Sequence, residues 1–197
     1  MRTSRLEAFS DGVMAIIITI MVLELRVPEE PTWEALVPSG TGLLTYLLSF
    51  VYVGIYWNNH HHFFQVVARV SGLTLWANLH LLFWLSLLPF TTAWMDETDF
   101  ATLPTMLYGI DLLLCAIAWF LLQQAVFRTK GEALGVRQVV GRDLKGKASP
   151  VLYVAGILLC LLSPWLGLAL YVVVALLWLV PDRRFARHAE LQHPATD

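Results

Sequence analysis

The chain has 197 residues, of which 57% are hydrophobic and 14% charged, with a formal net charge of −2 and a mean hydropathy of +0.64. A water-soluble domain of this size does not carry that balance, so the sequence reads as an all-α integral membrane protein, with no basic excess to suggest nucleic acid as a partner. Nucleotide loops, nucleophile elbows and repeats are missing, and Cys115 and Cys160 sit in apolar runs without disulfide or metal-ligand spacing.

The first span, 5–26, is apolar from Val13 to Leu23 except for Thr19, yet it holds Arg5, Ser10 and Asp11 near one end and Glu24 near the other. An ionisable group at membrane depth costs about 2.5–3.5 kcal/mol near a helix centre, so this segment is expected to face protein or water. Ser10 and Asp11 break the layout of a signal peptide and no small-residue cleavage site follows, so the span is read as retained. A helix from Gly12 to Arg26 would cover only about 22 Å of a hydrocarbon core about 30 Å thick, which moves its expected start towards Arg5.

With Gly12 at zero on a helical wheel, Ile16 falls at about 40°, Thr19 at about −20°, Leu23 at about 20° and Arg5 at about 20°. Asp11 lies at about −100°, and Ser10 almost opposite the stripe. If that stripe faced an axis shared between helices, Ser10 and Asp11 would pack into neighbours. The plainer alternative makes Ser10 or Asp11 the N-cap of an ordinary first span, with Ile16 and Leu23 as core.

Further spans are expected at 42–67, 72–94, 102–127, 148–163 and 165–181. Pro89 should kink the third. The hydrophobic run 151–180 would be about 45 Å long as one helix, too long for a bilayer, and is split at Ser163-Pro164. Arg2 and Arg5, Arg69, the basic loop 128–147, and Arg183, Arg184 and Arg187 fall on one side of the resulting layout. The acidic stretches 27–40 and 95–100 fall on the other. By the positive-inside rule both termini are cytoplasmic and 183–197 is a short tail. Trp33, Trp57, Trp76, Trp94 and Trp165 lie near span ends as interfacial anchors, with Trp57 set apart by the polar cluster that follows it.

That cluster is Asn58, Asn59, His60, His61 and His62. Consecutive helical residues point about 100° apart and cannot chelate one ion together, so no metal site is expected. Polar closure fits better: Asn59, His60 or His61 from the second span and Asn78 from the third could satisfy Ser10 and Asp11.

Arg5-x-x-x-Phe9-Ser10-Asp11-Gly12 followed by an aliphatic helix with Thr19, Tyr56-Trp57-Asn58-Asn59-His60-His61, Trp76-Ala77-Asn78-Leu79 and Ser86-Leu87-Leu88-Pro89-Phe90 together resemble the prokaryotic relatives of the endolysosomal potassium channel called transmembrane protein 175. The resemblance is strong over 5–92 and continues beyond in number of spans and topology. It implies six transmembrane helices per protomer, a homotetramer in the cell membrane, and a cation path lined by the first helix. The chain has no T-V-G-Y-G filter, as in that family. By position, Ile16 would match the narrowest hydrophobic ring, Thr19 a hydroxyl layer and Leu23 the outer ring, while Arg5, Phe9, Ser10, Asp11, His61 and Asn78 would match a buried network joining helix one to helices two and three.

The expected activity is therefore potassium-permeable conduction with modest cation selectivity through a hydrophobic constriction, with no cofactor and no catalysis. The competing readings are a proton-coupled transporter or proton-conducting channel using Asp11 and the histidines, and a membrane hydrolase using the His60–His62 tract with Asp111.

Overall fold

The computed structural model describes residues 3–36, 39–129 and 144–179, and in them every regular element is helical. The helices are α1 (Thr3–Leu23), α2 (Trp33–Leu36), α3 (Ser39–Gln65), α4 (Gly72–Leu85), α5 (Leu88–Glu97), α6 (Thr102–Phe127), α7 (Leu144–Leu159) and α8 (Pro164–Leu179). Four stretches are long and apolar enough to cross a membrane: Thr3–Leu23, Ser39–Gln65, Gly72–Glu97 and Thr102–Phe127. The chain is thus a multi-pass membrane protein. The helices α7 and α8 are shorter, at 16 residues each. Most of the expected basic loop, the arginines after 180 and the tail 183–197 lie outside the described residues.

Proline sets the interruptions. The third span divides into α4 and α5 because Pro89, in the first turn of α5, has no N–H to give the Leu85 carbonyl, and its ring would collide with that carbonyl. The break at 160–163 opens α8 on Pro164, where a missing N–H costs nothing. At its far end α5 closes with the Phe100 amide donating to the Met95 carbonyl at 3.0 Å, while Asp99 and Phe100 adopt φ of 48° and 59°. The Phe100 ring is held against Trp165, 4.7 Å between centroids.

Within the helices, threonine and serine turn back on the backbone rather than present bare hydroxyls. Ser10 donates to the Leu6 carbonyl at 2.9 Å, and Thr105 to the Ala101 carbonyl at 2.9 Å.

The central helix is α6, which packs against α4, α5, α7 and α8. Its buried aromatics meet others from neighbouring helices, Tyr108 beside Tyr171 of α8 and Trp119 beside Phe63 of α3. The α7–α8 hairpin closes tightly because Gly156 and Gly167 face each other, leaving the Gly156 carbonyl 2.8 Å from where a Gly167 Cβ would stand. Tyr171 fills the space beside Gly109 and Gly156. Its backbone carbonyl accepts the Tyr52 hydroxyl at 2.6 Å, joining α8 to α3.

The ends of α1, α3 and α5 meet on one side of the protein. Arg26 pairs with Glu97 at 3.5 Å, and the Ser39 hydroxyl donates to the Arg26 carbonyl at 3.3 Å. The two acidic stretches, 27–40 and 95–100, are therefore at the same end of the helices.

Candidate functional site

The first helix has two opposite faces. Leu6, Ser10, Met14, Ile17 and Met21 recur every three or four residues and are all buried. They turn towards α3, α4 and α5. On the other side, Ile16 is 58% and Leu23 81% exposed; Thr19 is exposed as well, and a Cβ at Gly12 would meet nothing. On the wheel the buried set centres at about 160° and the Ile16–Thr19–Leu23 stripe at about 10°. The stripe is thus turned away from its own protomer.

Thr19 donates its hydroxyl proton to the Ile16 carbonyl at 2.8 Å. Its oxygen lone pairs are left facing outward, an arrangement that suits a cation better than an anion.

A short polar chain holds this orientation. The buried Asn78 of α4 donates from Nδ2 to Ser10 Oγ at 2.9 Å, while its Oδ1 lies 2.8 Å from Nε2 of the buried His60 of α3. Ser10 passes its own proton to Leu6. Three helices are joined by one asparagine. One residue further along α1, Trp57 Nε1 donates to Asp11 Oδ1 at 3.0 Å, so Trp57 does more than anchor at an interface.

Several expected members lie elsewhere. The resemblance put His61, Arg5, Phe9 and Asp11 in the buried network, but all four are exposed on the protomer. His61 stacks on Trp57 at 6.1 Å, and its Nε2 accepts from the Gln65 side-chain amide at 2.9 Å. The reason is angular: one step along α3 turns a side chain by about 100°, so His60 and His61 cannot both face α4. Arg5 and Phe9 fall on the open side of the α1 wheel for the same reason. Asn59 is half-buried and donates to the Ile55 carbonyl of its own helix at 2.8 Å, and His62 bonds to the Asn58 carbonyl at 2.7 Å. Neither reaches Ser10 or Asp11.

Asp111 is also away from the histidine tract: it is buried on α6 against Thr91. No group of three His, Cys, Asp or Glu side chains among the described residues could hold a metal. Glu24 and Glu97 flank an open depression walled by Ile20, Phe90 and Trp94, beside the outer end of the stripe.

Two further polar groupings carry no clear sequence signature, the tie from Thr91 to Asp111 and the group of Ser49, Thr92 and Tyr108. In that group the Ser49 hydroxyl lies 2.7 Å from Thr92 and 3.1 Å from Tyr108. Isolated hydroxyls in apolar spans at 49, 91 and 92 were the available signal.

Residues 5–89 match the family model described as "Endosomal/lysosomal potassium channel TMEM175". Over 187 residues, 95% of this chain and 97% of the relative, the sequence is 50% identical to a potassium channel of Chryseobacterium sp. (strain P1-3). It is 29% identical over 167 residues to the endosomal/lysosomal proton channel TMEM175 of Homo sapiens, spanning 32% of that protein. Among solved structures it is similar to the crystal structure of a lysosomal potassium-selective channel TMEM175 homolog from Chamaesiphon minutus, with a TM-score of 0.76, 31% identity, and coverage of 90% of this chain and 96% of that one.

Proposed function

The chain belongs to the TMEM175 family of ion channels, and we propose that it is a potassium-permeable, modestly selective cation channel of the cell membrane. Six helical passes per protomer, counting α7 and α8 as short crossings and α4 with α5 as one, leave both termini in the cytoplasm. Four copies surround an axis lined by α1, with lipid on the outside and no cofactor beyond the permeant ions.

The single observation that carries this reading is the outward stripe of Ile16, Thr19 and Leu23, opposite the face by which α1 is bonded to its own protomer. One helix cannot enclose a passage, and only copies brought around an axis give those side chains a shared interior. Four Ile16 side chains make a dry neck that conducts when it widens or wets, and Thr19 hydroxyls replace part of the hydration shell. A strongly hydrated small cation loses more at such a neck than a weakly hydrated one, which favours potassium over sodium by a modest ratio. Ser10, Asp11, Trp57, His60 and Asn78 hold α1 in place, while Arg5, Phe9 and Gly12 line its inner mouth.

The test is ion flux in reconstituted liposomes. Ile16→Asn should raise potassium flux and bring the potassium and sodium rates together; unchanged rates and ratio would overturn the assignment of Ile16 to the neck. A proton-conducting channel is the second reading, favoured by the human relative's name and by the exposed carboxylate of Asp11 on the same helix as the stripe. Proton flux without potassium that is abolished by Asp11→Asn would select it.

A further inference from the structure

Among the described residues, two buried side-chain oxygens lack a hydrogen-bond partner, one on Asp96 and one on Asp111, and Asp111 is the more deeply buried residue of the two. Asp111 lies in the first half of α6, 4% exposed, in the most buried of the four long apolar helices. Its Oδ2 is 3.1 Å from Thr91 Oγ1. Its Oδ1 is buried and has no hydrogen-bond partner among the described residues. The ion pair found among those residues, Arg26–Glu97, is at the exposed end of the helices, so none of the described ion pairs involves Asp111.

The surroundings hold nothing to compensate a negative charge. Tyr56 from α3, and Tyr108 and Cys115 from α6 itself, are buried and near enough to feel the charge of the carboxyl. From α5 it meets Thr91. His80 of α4 is on the exposed surface, Asp96 and Glu97 are at the far end of α5, and α7 and α8 present Tyr153, Cys160 and Tyr171 towards the core. The buried groups among these are neutral or acidic, and the buried base of α3, His60, is bonded to Asn78 instead. A carboxylate here would carry an unpaired charge at membrane depth, with one oxygen unbonded.

Proton counting around Thr91 bears on what the site holds instead. The Thr91 hydroxyl has one proton, yet Oγ1 lies 3.3 Å from the Leu87 and Leu88 carbonyl oxygens as well as 3.1 Å from Asp111. If Asp111 is ionised, that proton must serve either the carboxylate or the backbone, and the other contact is two acceptors facing each other. If Asp111 is a carboxylic acid, its Oδ2–H donates to Thr91 and the Thr91 proton is free to be shared between the Leu87 and Leu88 carbonyls, so no two acceptors face each other unprotonated across the Thr91–Asp111 contact.

We propose that Asp111 and Thr91 form a proton-binding site inside each protomer, in which the carboxyl is held as a neutral acid and relays its hydrogen bond to the carbonyls at the α4–α5 break. Those carbonyls, of Leu87 and Leu88, belong to the turn that replaces a continuous third span. Loss of the proton therefore acts on the junction from which α5 reaches α1. This site does not depend on the pore assignment.

Infrared difference spectra of the full-length protein in liposomes test it. At neutral pH the protein should show the C=O stretch of a protonated carboxylic acid, shifted in deuterium oxide and lost in Asp111→Asn. Thr91→Val, which keeps the acid but removes its acceptor, should move the same band to higher wavenumber, and serves also if Asp111→Asn does not fold. The absence of an acid band, or a band that neither variant alters, overturns the proposal. A band that vanishes on adding potassium or sodium at fixed pH also overturns it, because the carboxylate would then be holding a cation.

Discussion

Asn78→Leu is the most informative change to the scaffold of α1. It keeps approximate side-chain size while deleting the bonds to Ser10 at 2.9 Å and His60 at 2.8 Å. Interhelical hydrogen bonds in membranes average about 0.6 kcal/mol, so two lost bonds set a floor of about 1 kcal/mol. The remaining cost depends on what each partner can do afterwards. Ser10 keeps its bond to Leu6, but His60 is 1% exposed and is left with a buried ring nitrogen facing leucine, which costs about 1–3 kcal/mol. The expected loss is about 2–4 kcal/mol in thermal or denaturant unfolding in detergent. Asn59→Leu, a local bond on a half-buried side chain, should cost less than about 1 kcal/mol. A double-mutant cycle of Asn78→Leu with Ser10→Ala should show coupling above about 0.5 kcal/mol. Equal losses for Asn78→Leu and Asn59→Leu, with no coupling to Ser10, would refute the view that this asparagine joins three helices.

Gly167→Ala should destabilise by about 1–3 kcal/mol by the same measurement, since the added methyl meets the Cys160 sulfur and the Gly156 backbone carbonyl. Tyr52→Phe removes one hydroxyl bonded at 2.6 Å to the Tyr171 carbonyl and should cost about 0.5–1.5 kcal/mol. Cys115 and Cys160 are free and buried, so maleimide labelling of the folded protein should be negligible and should rise along the unfolding curve; fast labelling under native conditions would show that the α6 and α7–α8 packing is wrong.

Hydropathy made the long spans legible because a membrane crossing is a statement about composition over some twenty residues, which needs no knowledge of partners. The interruptions were legible too, since Pro89 and Pro164 act through their own missing N–H groups. Helix ends were less so: α1 stops at Leu23, before Arg26, and α3 begins at Ser39. Which histidine turns inward could not be read from three in succession, because the answer depends on the phase of α3 against α4 and not on residue type. The Tyr52–Tyr171 and Thr91–Asp111 contacts were hidden for a related reason. A tyrosine or threonine within an apolar run has the same local signature whether its hydroxyl meets another helix or its own backbone.

The wheel of α1 was an exception, and its physical basis explains why the buried polar residues matter to the open side. A cylinder packed only by Leu6, Met14, Ile17 and Met21 could rotate some tens of degrees at small cost, since apolar contacts are not directional. Hydrogen bonds are directional, and α1 has two of them at adjacent residues: Ser10 to Asn78 of α4, and Asp11 to Trp57 of α3. Adjacent residues differ by about 100°, so the two ties pull on different sides of the helix and no single rotation satisfies both except the observed one. Fixing that angle also fixes where Ile16, Thr19 and Leu23 point. Substitutions at Ser10, Asn78 or Trp57 can therefore alter what the stripe presents without touching it.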